Sequence, residues 1–177
     1  ISEAQYDLAC ERVKAAGLED RITLLKKDYR ELTGHYDKLV SVEMIEAVGY
    51  QYIPTYFQHC SRLLKPDGLM ALQGITLNDQ HYDTYLNTID FIKKYVFPGG
   101  CLISQAHVLK VLKARTDLRV VHLEDIALHY ADTLRIWRER FFEQVDAVKA
   151  LGFNEAFIRL WEFYLTYCEG GFREQYI

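Results

Sequence analysis

Cysteine is sparse: Cys10, Cys60, Cys101 and Cys168 are spread over 177 residues, and no two stand in a CxxC pair. That spacing excludes a zinc knuckle and a disulfide framework, and a reducing cytosol is the expected compartment. Long apolar runs are missing too, so no transmembrane helix is expected within these residues. Positive charge is in short supply, with 21 Lys and Arg against 25 Asp and Glu and a formal net charge of −4, which argues against a general nucleic-acid binder. HExxH, GxSxG and P-loop patterns do not occur, and no Cys/His pair makes a convincing nucleophile. His35, His59, His81, His107 and His122 have no partner at metal-ligand spacing, so no metal site is expected. Internal repeats, low-complexity stretches and interdomain linkers are absent as well, which leaves one domain of ordinary size.

What the chain has is aromatic bulk, thirteen Tyr and nine Phe, enough for either a deep apolar pocket or a dense core. Its periodicities read in order. Residues 2–17 form a helix stopped by Gly17. Arg21–Leu25 is a short strand, and Tyr36–Val42 a second one, apolar enough to be covered on both faces. Tyr50–Leu64 is a helix interrupted early by Pro54. Lys65-Pro66-Asp67-Gly68 is a tight turn, and Leu69–Leu77 a third strand. Such alternation predicts an α/β domain with a parallel sheet and helices on its faces. Residues 79–116 are mostly helical, split at Phe97–Gly100, and longer than a connection needs, which suggests a lid or substrate-binding insertion. Leu118–Leu123 is a further strand candidate. From Tyr130, apolar residues at Leu134, Trp137, Phe141, Val145 and Val148 mark one helix, closed by Gly152. Phe157, Leu160, Trp161, Tyr164, Leu165 and Cys168 mark the next, and this stripe reads first as core.

Several residues interrupt these patterns in ways that chemistry would use. Glu46 follows a buried strand, where ligands of open α/β sheets sit; on the residues alone it reads first as a solvated glutamate favoured by a helix N-terminus. Asp28 and Tyr29 close the first strand and could hold and stack on an adenine, or simply cap a helix. Gln73 intrudes into the apolar run Ala71–Ile75, and a buried amide there must satisfy the sheet edge or face a ligand. Gly74 permits close backbone approach. Tyr130 stands where a helix begins and could aim its hydroxyl into a site. Lys93 and Lys94, beside Tyr95 and Phe97, suit either lipid headgroups or an ordinary surface helix.

Several blocks occur in a specific order: Ala15–Leu18, Asp37–Ser41, Met44-Ile45-Glu46 within Val42–Gly49, Leu63–Gly68, Phe97–Cys101, Tyr130 with Thr133-Leu134, Trp137, and Glu169–Glu174. Together they resemble the catalytic domain of the cyclopropane-fatty-acid synthase family, which includes the mycolic acid cyclopropane synthases. The resemblance implies a Rossmann-like methyltransferase fold that uses S-adenosylmethionine, with bicarbonate as the base. It implies the same cradle for that bicarbonate: the Glu46 side chain, the Ile75 backbone, the Tyr130 hydroxyl, and Gln73 where the family has histidine. Ala47 replaces a second family histidine, and the family's cradle cysteine has no counterpart. Asp28, Tyr29 and Ser41 are the implied cofactor contacts. The implied partner is an unsaturated phospholipid acyl chain, met by a cytoplasmic protein touching the inner membrane face; a homodimer is compatible with this.

The family's glycine-rich loop and the acidic residue one strand later are not found in these 177 residues, so the chain is expected to be a partial catalytic domain. On this reading the protein methylates a cis double bond and closes a cyclopropane ring. The alternatives are methylation of another lipid or small molecule without ring closure, and a non-catalytic fragment that binds an acyl chain or a partner. The enzymatic reading requires Glu46 and Tyr130 to converge at the mouth of an apolar tunnel.

Overall fold

In the computed structural model, which describes residues 2–177, two packed layers meet along one seam. Helix α1 (Glu3–Ala15) is capped by the Ser2 hydroxyl and ends before Gly17, whose φ of +62° suits a residue without a Cβ. Strand β1 (Tyr36–Val42) runs parallel to β2 (Leu64–Gln73), and α2 (Ile53–Leu63) makes the crossover that parallel pairing requires. Pro54 sits in the first turn of α2, where a missing N–H costs nothing, so it opens this helix rather than interrupting it. Tyr50–Tyr52 forms a separate 3-10 turn just before it. The Lys65–Gly68 turn lies inside the bounds of β2: Tyr36 pairs with Leu64 but Lys38 with Leu69, so the four residues bulge out of the ladder.

The remainder is helical: α3 (Asp79–Leu86), a π-helical turn at Ile92–Val96, α4 (Gln105–Arg115), α5 (Ala127–Glu143), α6 (Val145–Ala150) and α7 (Glu155–Arg173). One apolar core joins the inner face of the sheet to α2 and α4 through Ile45, Ile53, Tyr56, Phe57, Ile103 and Leu112. A second joins α5 to α7 through Ala131, Leu134, Leu165 and Phe172.

Several expectations fail. The strand expected over Leu69–Leu77 ends at Gln73, and the helix expected from Tyr130 to Gly152 breaks at Gln144 into α5 and α6. Arg21–Leu25 is not a strand: the amides of Arg21 and Ile22 both donate to the Leu18 carbonyl, which bends the chain, and among the described residues no ladder takes up Thr23, Leu24 and Leu25. Leu118–Leu123 is irregular: Leu118 packs against the first core, but Arg119–Leu123 is exposed, with Val121 at 72%. High β-propensity does not make a strand where no partner strand lies alongside. Finally, β1 is covered on one face only. Ser41 is buried toward α2, while Val40 and Val42 stay exposed on the other face.

Candidate active site

The seam between the two cores holds the candidate site. Beyond Gln73 the chain leaves the ladder, and the amide of Ile75 donates not to a strand carbonyl but to Glu46 Oε1 at 2.6 Å. The other carboxylate oxygen of Glu46 is buried without a partner. Burial pushes this carboxyl upward from its ordinary value; the Ile75 amide opposes that, and the nearby charge of Glu43 adds to it. Gly74 makes the arrangement sterically feasible, because a Cβ there would stand 2.9 Å from Ile45 Cγ2 and 3.3 Å from Glu46 Oε1.

Glu43 is the residue that sequence reasoning missed. Its backbone amide donates to the Gln73 carbonyl at 2.9 Å, extending the β1–β2 ladder by one bond. Its side chain then bridges two expected site residues: Gln73 Nε2 donates to Oε1 and the Tyr130 hydroxyl to Oε2, each at 3.0 Å. The partner of the intrusive amide is thus a carboxylate at the end of the neighbouring strand. The available signal was register: an amide at the end of β2 needs a partner, and β1 supplies one next to its last paired residue. Glu43 also has φ +47°, the left-handed region that few non-glycine residues occupy.

Tyr130 is held by α5, its ring 4.7 Å from that of Phe172 on α7 and 6.3 Å from that of Trp137. Burial first, then the charge of Glu43 it donates to, pushes its phenol well above the ordinary range. Tyr164, also on α7, is pushed up to about 12 by burial. Glu43, Gln73, Ile75, Tyr130 and Phe172 line an open groove of about 2160 Å³. Tyr130 therefore pairs with Glu43 and not with Glu46, although both carboxylates stand at the same strand ends.

The implied cofactor contacts lie elsewhere. Asp28 caps the Tyr29–Glu31 turn and binds the Arg30 guanidinium at 2.7 Å, which holds its carboxyl down at about 2. The Tyr29 ring packs edge-on against Tyr56 in the first core. Ser41 is buried near the end of β1 with its hydroxyl unpartnered. Lys93 is committed internally, donating to the Tyr85 and Thr88 carbonyls and lying 3.5 Å from the centroid of the Tyr85 ring. Among the described residues no helix is long and apolar enough to cross a membrane.

Comparison with known proteins agrees with this architecture. The profile of the family described as mycolic acid cyclopropane synthetase matches residues 1–177. The chain is 45% identical, over its whole length, to 42% of the tuberculostearic acid methyltransferase UfaA1 of Mycobacterium tuberculosis. It is 36% identical to the cyclopropane-fatty-acyl-phospholipid synthase of Escherichia coli, with 98% of this chain and 42% of that one aligned. A crystal structure of mycolic acid cyclopropane synthase CmaA1, complexed with SAH and CTAB, superposes with a TM-score of 0.83 at 26% identity, covering 99% of this chain and 64% of that one. The chain thus spans less than half the length of these curated relatives. It belongs to the mycolic acid cyclopropane synthetase family of Rossmann-like methyltransferases.

Proposed function

We propose that the protein transfers a methyl group from S-adenosylmethionine to a cis double bond of a phospholipid acyl chain and closes a cyclopropane ring. The observation that carries this is the pairing of two carboxylates, Glu43 and Glu46, beside a wall of aromatic rings at the ends of β1 and β2. Addition of a methyl cation equivalent to an alkene leaves a carbocation. Such a centre needs fixed negative charge and π faces around it, and little water. Glu43 and Glu46 supply the charge, and Tyr130, Tyr164 and Phe172 supply the faces.

The same features suit the methyl donor. Its sulfonium is a cation that carboxylates stabilise. When bound, the donor supplies an electrophilic methyl group; Asp28 and Tyr29 are the proposed adenine-side contacts. Bicarbonate fits poorly. The Tyr130 hydroxyl and the Gln73 amide are both taken by Glu43, and the Ile75 amide by Glu46. A third anion beside two carboxylates would also be repelled. Of the segment 79–116, the part before Ile103 would cover the acyl chain, since Ile103 and α4 belong to the sheet core, with the protein at a membrane surface.

A second reading, methylation without ring closure, is favoured by the 45% identity to a protein named for tuberculostearic acid, a methyl-group transferase by name. The intact protein, expressed in a bacterium without cyclopropane synthase and fed methyl-labelled methionine, separates the two. Ring closure adds one labelled CH2 and removes the double bond. Branching adds the same mass but keeps an unsaturation that hydrogenation detects. Acyl chains without label would refute both.

A further inference from the structure

We propose that Glu43 is the base of the reaction, a carboxylate built into the chain where the family resemblance implies a free bicarbonate. The inference rests on the acyl-chain reading above and deepens it. Three donors were expected to hold the external anion: the Tyr130 hydroxyl, the group at position 73, and the Ile75 amide. The first two converge on Glu43, one on each oxygen, both at 3.0 Å. The third is filled by Glu46. A carboxylate and a bicarbonate present the same planar pair of oxygens, so donors that clamp one clamp the other.

Two further observations belong with this. Gln73 takes the place of a histidine in the family pattern, and an amide holds an anionic carboxylate with one N–H and no charge of its own. Second, Glu43 adopts φ +47°, a conformation that costs a non-glycine residue free energy unless its surroundings hold it. The bridge between β2 and α5 is what holds it. The carboxylate is also exposed to the groove, so a proton it accepts can leave for water.

The step balances without a further reagent. The alkene's π pair forms the bond to the incoming methyl carbon, while the C–S pair stays on sulfur. The second alkene carbon becomes cationic. Glu43 takes one proton from the new methyl, and the freed C–H pair closes the ring onto the cationic carbon. If a hydride first shifts between the two carbons, the same proton loss gives a methylene (C=CH2) branch on the open chain. Glu43 then passes its proton to solvent. Tyr130 and Gln73 position the carboxylate and do not exchange protons with the substrate.

The test uses the intact protein with S-adenosylmethionine and vesicles of a cis-monounsaturated phospholipid, in buffer stripped of carbon dioxide and in buffer with bicarbonate. Wild-type methylation is expected to be the same in both. Glu43→Gln, which keeps the size but loses the basicity, should lower the rate about a hundredfold or more in either buffer. Glu43→Gly, which the positive φ accommodates, vacates the clamp, so its residual rate should rise when bicarbonate is added. Carbon-13 bicarbonate NMR gives a readout apart from turnover: Glu43→Gly should broaden the bicarbonate line and wild type should not. A wild-type rate that depends on bicarbonate, a Glu43→Gln variant at full rate, or wild-type line broadening overturns the proposal. A wild type that labels no acyl chain overturns the acyl-chain reading and, with it, the catalytic part of this one. The NMR result still decides whether Glu43 fills the anion's place.

Discussion

Replacing Gly74 by alanine tests the packing that aims Glu46. The added Cβ would lie 2.9 Å from Ile45 Cγ2, 3.3 Å from Glu46 Oε1 and 3.7 Å from Ile103 Cδ1. The first distance is below any that real Cβ atoms show, so something must move. Ile45 is fully buried and Ile103 is 3% exposed, both within the core that includes Ile53, Tyr56 and Leu112. Close-packed side chains there have little room to retreat, and overpacking of this kind costs about 1–3 kcal/mol. The other relief is a backbone shift that stretches the 2.6 Å bond from Ile75 to Glu46. Leaving that amide unpaired costs a similar amount, about 1–3 kcal/mol. The two routes are alternatives, so the total loss should be about 2 kcal/mol rather than their sum. With a urea slope of about 1–3 kcal/mol/M, the unfolding midpoint should fall by roughly 1 M at an unchanged slope. Ile45→Leu removes the offending Cγ2 and by itself should cost less than about 1.5 kcal/mol. The double variant should therefore lose less than the two single losses combined. Additive losses, or an unchanged midpoint for Gly74→Ala, would refute the claim that Ile45 and Glu46 are locked against this glycine.

Gly170, inside α7, is the opposite case: a Cβ there meets nothing within 4 Å and the backbone is ordinary helix. Gly170→Ala should stabilise the protein by about 0.5–1 kcal/mol in the same urea titration, and a loss would mean the site is filled by something else. Glu46 should leave a signature in pH. Its carboxyl is raised in the fold, so the native state holds its proton longer than the unfolded chain does. Native stability should therefore decline as pH climbs from the ordinary carboxylate value through the raised one, then level off. Glu46→Gln keeps a carbonyl oxygen for the Ile75 amide and abolishes that decline. The stability difference between variant and wild type should widen across this window, and a flat difference would contradict the assignment.

The sequence made the fold legible wherever periodicity and partner agree. Strand Tyr36–Val42 and the stripe of α7 fall where the pattern places them, while the single helix expected from Tyr130 to Gly152 breaks at Gln144 into α5 and α6. It misled where a strand depends on a neighbour: Arg21–Leu25 and Leu118–Leu123 have the right residues, but no ladder beside them among the described residues. Of the site, Glu46, Gln73, Ile75 and Tyr130 stood out because each breaks a local pattern or fits a motif. Glu43 did neither. A glutamate after an apolar strand looks solvated, and nothing local in sequence encodes a positive φ or a tyrosine 87 positions away.

That long separation explains why the site sits at a seam. The α5–α7 pair has its own core, and its ties to the rest of the fold are local, among them the Phe91–Phe163 and Phe97–Tyr164 ring contacts. They also include the Tyr130–Glu43 bond, Ile75 packed against the second core, and the Asn78 side-chain amide donating to the Gln175 carbonyl at 2.8 Å. A carboxylate clamped from β2 on one oxygen and from α5 on the other is correctly placed only when both layers are docked. Two cores joined by a few hydrogen bonds and local aromatic contacts rather than by one shared interior can separate slightly at modest cost. A long acyl chain, the substrate proposed above, would need such an opening to enter laterally. On the function proposed above, the Tyr130–Glu43 bond would re-form as the layers close, tying proton removal by Glu43 to a filled groove.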